Sequence, residues 1–301
     1  MIKKFVTRNY PYLLPALVLV LLHLYFYITN KGYLIFYGDS YEEMLMLYLG
    51  GWEKVHQLDL SLWDWSLGYG ASLFSRSFYF LTSPFFWSTV IFPKTWIPQL
   101  FGILNGIKIY LLWIFSYVWL FNLYKHKKAA FIISTSLAFS GWVLFFYHYN
   151  FFLDAFLLYP ILLFSIDRYL ETQSVKLLIF LTALLAITNF YFLYMFVPFM
   201  GLYFWLRWLS NYDFKLKLFS LETLKFIGYV ILGLGISSFV FIPSIQIILS
   251  TPRLETFSLS SIFNTLSLKD AFRFISSLYT PVMERFDPSY FISTDVFTGI
   301  G

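Results

Sequence analysis

Leu13-Leu14-Pro15-Ala16-Leu17-Val18-Leu19-Val20-Leu21-Leu22-His23-Leu24-Tyr25-Phe26-Tyr27-Ile28 is apolar but for His23, and a few residues on comes Tyr37-Gly38-Asp39-Ser40-Tyr41-Glu42-Glu43. An apolar run of roughly 20 residues is what an α-helix needs to cross a bilayer. The start, Met1-Ile2-Lys3-Lys4, has the basic character of a signal peptide. The run continues to about Ile28 with no small-residue cleavage site, so it reads as an uncleaved first span. Asp39, Glu42 and Glu43 are costly in lipid, which puts the heptapeptide at the water boundary just past that span.

The rest of the chain has the same character. Of 301 residues, 59% are hydrophobic and 12% charged, where a soluble domain carries roughly 25% charged residues. Aromatic residues make up 24%, with 38 Phe and 24 Tyr. Apolar runs near 10–30, 97–123, 129–148, 153–168, 175–188, 190–209 and 225–249 predict about seven spans in an all-α polytopic membrane protein. Asn189 marks the turn of a tight hairpin between two of them. A shorter apolar piece, 78–92, contains Pro84 and reads as re-entrant or interfacial. The absence of cysteine excludes disulfides, thiol catalysis and cysteine metal sites.

Charge sets the expected orientation. Twelve basic residues fall in one set of loops: Lys3, Lys4, Arg8, Lys125, Lys127, Lys128, Arg168, Lys176, Arg207, Lys215, Lys217 and Lys225. The opposite set, before residue 250, holds Lys31, Lys54, Arg76 and Lys94. Cytoplasmic loops carry the excess of Lys and Arg, so the N-terminus is expected inside the cell, with 31–96 and the region after about 250 outside. The net charge of +5 is explained by this bias, with neither a basic face nor a Gly-rich phosphate loop to suggest nucleic acid as a partner. Residues 1–250 read as one transmembrane domain. Residues 251–301 read as the start of a second large outer loop in a chain cut from a longer protein.

Within the first outer region, Tyr41, Met44, Leu45, Tyr48, Leu49, Trp52 and Val55 recur at helical spacing. They predict an amphipathic interfacial helix. Trp63, Trp65, Trp87 and Trp96 follow, the residue type favoured at headgroup level, and Gly68-Tyr69-Gly70 supplies a turn.

Six residues stand out for chemistry. Asp39, with Glu42 three positions on, fits a helix capping box; the same carboxylate could also take a proton from an acceptor hydroxyl in an outer cleft. Asp154 lies in the short outer turn His148-Tyr149-Asn150-Phe151-Phe152-Leu153-Asp154 and must be hydrated, paired or functional there. His148 and Asn150 are placed to bond it or to contact a substrate. Arg76 suits bidentate binding of a lipid phosphate, or snorkels at the interface. Lys108 sits inside the second span and needs a carboxylate, a carbonyl or an aqueous cavity; a structural pair and a substrate contact both satisfy it. The four His residues, at 23, 56, 126 and 148, have no metal-ligand spacing, and any divalent cation is left unnamed.

Four pieces in order resemble the YfhO family of bacterial membrane proteins, which belongs to the GT-C class of polyprenyl-phosphate-dependent glycosyltransferases. They are Tyr37-Gly38-Asp39-Ser40; Trp65-Ser66-Leu67-Gly68-Tyr69-Gly70 with Ser83-Pro84-Phe85; Asn150-Phe151-Phe152-Leu153-Asp154 with Pro160 and Ile166-Asp167-Arg168; and Thr188-Asn189-Phe190-Tyr191. The resemblance implies a GT-C-like helical bundle with an outward active site. It makes Asp39 the catalytic base and Asp154 an assisting acid, while Glu42 and Glu43 carry nothing over. It also implies a sugar on a polyprenyl phosphate such as undecaprenyl phosphate as donor, and a cell-envelope polymer such as teichoic acid as acceptor. A lipid-linked saccharide flippase and a non-catalytic envelope scaffold are the alternatives, and neither needs a base.

Overall fold

In the computed structural model the described residues are built almost wholly into helices. The structure describes residues 2–34, 40–59, 61–65, 69–73 and 81–250. The chain divides into two units, Met1–Ile247 and Ile248–Gly301, and the architecture below is that of the first.

The first long apolar run forms α1 (Ile2–Thr29). A π-helical turn, Ser40–Met44, leads into α2 (Leu45–His56). Two short antiparallel strands, β1 (Trp63–Asp64) and β2 (Ala71–Ser72), pair Trp63 with Ser72. Gly70 closes their turn at φ +97°, where a Cβ would also collide with the Trp63 indole, so glycine is required. Helix α3 (Pro84–Thr89) starts with proline in its first turn, as an N-terminus favours. The bundle follows: α4 (Ile97–Tyr124), α5 (Lys127–Ala138), α6 (Gly141–Phe145), α7 (Asn150–Phe156), α8 (Leu158–Thr172), α9 (Lys176–Thr188), α10 (Phe190–Asn211), α11 (Leu216–Ile236) and α12 (Ser238–Leu249).

Among the described residues, six helical segments are long and apolar enough to cross a membrane. Two expected spans differ. The fifth corresponds to α9, whose 13 residues reach only about 20 Å at 1.5 Å per residue, short of the roughly 30 Å hydrocarbon layer. The seventh begins at Leu216, because Leu216, Leu218, Phe219 and Leu221 between the lysines continue the apolar pattern ahead of Lys225. It breaks at Ser237, whose hydroxyl donates to the carbonyls of Gly233 and Leu234.

Helix α4 is the centre of the unit. It buries Ile109, Leu112, Trp113, Tyr117 and Leu120 in a core shared with α5, α8, α9 and α10. Helix α1 rests against it where Gly106 leaves room for the His23 ring, and the segment just past α1 does so where Gly102 removes the side chain that would collide with Leu34. The Tyr110 hydroxyl also donates to the Tyr12 carbonyl at 3.0 Å. The turn between α9 and α10 falls at Asn189, whose amide donates to the Phe151 carbonyl (3.1 Å) and whose Oδ1 accepts the Phe192 N–H (3.1 Å). One residue thus ends one helix, caps the next and ties both to α7.

Far from that turn, toward the C-terminal end of α8, the buried Asp167 accepts from Arg207 Nε at 2.6 Å and from the Tyr203 hydroxyl at 2.7 Å. The Trp119 indole donates to the same tyrosine at 3.0 Å, so α4, α8 and α10 are clamped together by one satisfied polar group.

Candidate functional site

Helix α2 and the turn before it bury Met44, Leu45 and Tyr48 as the spacing predicts, while Tyr41 is exposed and Leu47 joins the buried side, which meets protein. Met44, Leu45, Leu47 and Tyr48 are buried against Phe86 of α3, Ile97 and Phe101 of α4, and Phe151 of α7. Tyr48 packs edge-on against Phe86 and Phe101, with ring centroids 5.4 and 5.3 Å away. Trp52 reaches across to donate to the Phe92 carbonyl at 3.0 Å. Residues 81–96 and α2 therefore form a cap on the end of the bundle where α7 begins.

Beneath that cap lie two residues the sequence singles out separately. Lys108 on α4 and Asp154 on α7 pair, Nζ to Oδ1, at 2.6 Å, with side chains 0% and 1% exposed. The Lys108 ammonium also donates to the Asn150 carbonyl at 3.0 Å and lies 5.0 Å from the centre of the Phe85 ring. An ammonium has three donors, and carboxylate, carbonyl and aromatic face occupy them. Asn150 opens α7 and is itself buried. Lys108, Asn150 and Asp154 thus converge. The side chain of His148 and all of Asp39 and Arg76 lie outside the described residues, so their expected roles, and the capping box of Asp39 with Glu42, carry no geometry here.

Around the pair is an unusual density of unsatisfied polarity. Asp154 Oδ2, Asn150 Oδ1, Asn105 Oδ1 and the hydroxyls of Tyr48, Ser83 and Thr188 are buried without a hydrogen-bond partner. Each such group costs on the order of 1–3 kcal/mol. The Tyr48 hydroxyl faces Ser83 and Asn150 with no well-directed bond to either. Burial, and then the Asp154 carboxylate, push its pKa well above the ordinary tyrosine value, so it is a neutral hydroxyl at any physiological pH. Tyr48 reads in the sequence as one more apolar-face residue. Ser83 and Thr188 are quoted there only as parts of longer motifs, and no spacing rule joins them to Asp154.

A cavity of about 180 Å³ adjoins this cluster, lined by Pro84, Phe85, Phe115, Leu158, Asp154 and Thr188 among others. Its walls are apolar and its polar members are the acid and the threonine. A larger space, about 300 Å³, lies between α1 and α4, and His23 is its main polar lining residue. The imidazole of His23 is engaged by the Leu19 carbonyl (2.8 Å) and the Tyr147 hydroxyl (3.0 Å). Among the described residues no three His, Asp or Glu side chains gather as a metal site.

Among the described residues, an all-α bundle with six membrane-length helices, a capped end and a buried charge pair in its apolar interior defines a polytopic membrane protein. More particularly, the chain belongs to the YfhO family: the profile described as "Bacterial membrane protein YfhO" matches residues 12–300. No curated protein and no solved structure matched the chain.

Proposed function

We propose that this chain is part of a membrane glycosyltransferase that moves a sugar from a polyprenyl-phosphate donor to a cell-envelope acceptor on the outer face, teichoic acid being the expected polymer type. YfhO membership is compatible with such an activity. The observation that carries the reading is Asp154, a salt-bridged carboxylate buried under the α2–α3 cap with its second oxygen unpartnered and an apolar cavity beside it. A bundle that needed only to fold would gain nothing from burying so much unsatisfied polarity in one place.

Outside the cell no nucleotide sugar is at hand, so the activated sugar must arrive on a lipid. In the proposed step Asp39 takes the proton of the acceptor hydroxyl as its oxygen attacks the anomeric carbon. The bond from that carbon to the lipid phosphate breaks, and the phosphate departs with the electron pair. Arg76 meets the charge that develops on the phosphate. A single displacement inverts the configuration. Lys108 has its donors occupied, and in this scheme it holds Asp154 and the start of α7 in place.

The test is Asp39→Asn in proteoliposomes supplied with a polyprenyl-phosphate sugar and an acceptor. Loss of general-base help lowers the transfer rate by about 10²–10⁴-fold, with expression and donor binding intact. Unchanged transfer removes Asp39 from the mechanism. Sugar-lipid translocation that ignores the substitution identifies a flippase, and neither activity leaves a scaffold.

A further inference from the structure

The cluster under the cap has a definite chemical bias. The positive charge of Lys108 is matched by Asp154 at 2.6 Å, so the pair is neutral as a unit. The unpartnered atoms include two oxygens that only accept, Asp154 Oδ2 and Asn150 Oδ1, and three hydroxyls, Tyr48, Ser83 and Thr188. Among the described residues, a phosphate brought here would face a carboxylate oxygen whose neighbouring cation, Lys108, is already paired. A cation would sit beside the ammonium. Neutral groups that both donate and accept suit the set, and several of them on one small frame suit it best.

We propose that Tyr48, Ser83, Asn150, Asp154 and Thr188 form a binding site for the hydroxyl groups of a pyranose ring. The choice of a sugar rests on the transferase reading, while the site itself is a claim about binding. Four segments supply the polar atoms: α2, the residue before α3, the α7 helix and the end of α9. Each of these side chains is at least nine-tenths buried. The adjoining cavity of about 180 Å³ is apolar apart from Asp154 and Thr188. It therefore suits the hydroxylated ring at its Asp154 and Thr188 wall and, along its remaining walls, the start of an apolar chain attached to that ring. Tyr48 is the specificity residue nothing in the sequence marks. It keeps its proton, so it can donate to a ring oxygen or hydroxyl while accepting from another.

Three probes separate the outcomes, measured by equilibrium binding to the full chain in nanodiscs: farnesyl β-glucoside, methyl β-glucoside and farnesyl phosphate. The parent protein is expected to bind farnesyl glucoside. Tyr48→Phe, Ser83→Ala and Thr188→Val each remove one hydroxyl and almost no volume, and each should weaken that binding by about threefold to tenfold. Farnesyl phosphate binding should be the same in all four proteins. Methyl glucoside binding that shows the same losses supports the site and assigns the sugar to the acceptor; binding confined to the farnesyl compound supports it and assigns the sugar to the lipid donor. Parent-like glucoside affinity in all three variants, with parent-like melting, overturns the proposal. So does farnesyl phosphate that competes with the glucoside and is weakened by the same substitutions. Glucoside binding without transfer keeps the site and removes the transferase reading; transfer with glucoside binding indifferent to the variants does the reverse.

Discussion

Cutting the Lys108–Asp154 pair from one side should be far worse than removing both partners. At 2.6 Å and an effective dielectric of about 20, the gross attraction is about 6 kcal/mol. Burying each ion costs several kcal/mol, so the intact pair is close to break-even against apolar side chains of similar volume. Asp154→Asn leaves the ammonium uncompensated at zero exposure, and Lys108→Met does the same to the carboxylate. Each is expected to destabilise by about 3–5 kcal/mol. In Lys108→Met with Asp154→Leu no charge is left behind, and stability should return to within about 2 kcal/mol of the parent. The assay is unfolding of purified protein followed by tryptophan fluorescence, for which the chain has 10 Trp. A double variant that loses the sum of the two single losses refutes the reasoning. Transfer measured on the stable double variant then reads the chemical use of Asp154 apart from its part in folding.

Two further expectations follow from residues outside the spans. The chain has no cysteine, so a single Tyr69→Cys, at a fully exposed position, should react with a membrane-impermeant maleimide in intact cells while Lys127→Cys reacts only after lysis; the opposite pattern inverts the topology. Asp59 is held well below the ordinary aspartate range, chiefly by Lys54 at 2.7 Å and then by Ser61. A carboxylate with a lowered folded pKa stabilises above its unfolded pKa, and that contribution is lost as the pH falls through the folded value. Asp59→Asn should therefore lack an acid-sensitive term that the parent shows only below about pH 4, read as melting temperature against pH; coincident curves would show that the pair adds nothing.

Composition and period made the membrane bundle legible, since apolar runs of membrane length have few other uses. Length was read less well where polar residues interrupt a run: Lys217 and Glu222 hid the first turns of α11. The face of α2 was visible in the spacing of Met44, Leu45 and Tyr48, but its partner was not. Periodicity says that a face is apolar without saying whether lipid or Phe86, Ile97 and Phe101 will cover it. Lys108 and Asp154 each announced that they needed a partner, because an ionisable group in an apolar run always does. That they needed each other is a property of how α4 and α7 cross, which no local pattern encodes. Tyr48, Ser83 and Thr188 were silent for a plainer reason. Their types are at home anywhere, and only convergence in space gives them meaning. Asp39 and Arg76 were read from motif and residue type, and that remains the ground on which they stand.

The shortness of α9 has a mechanical consequence. With 13 residues it is shorter than a crossing needs, and its length sets where along the bundle Thr188 meets Asp154 at their shared cavity. The turn that follows has both amide functions of Asn189 engaged by protein, so it is satisfied without bulk water where it is buried. Helix length here is a ruler. One added turn would shift Thr188 by about 5 Å along the helix axis, which would take it out of register with Asp154 on the wall of the cavity they share.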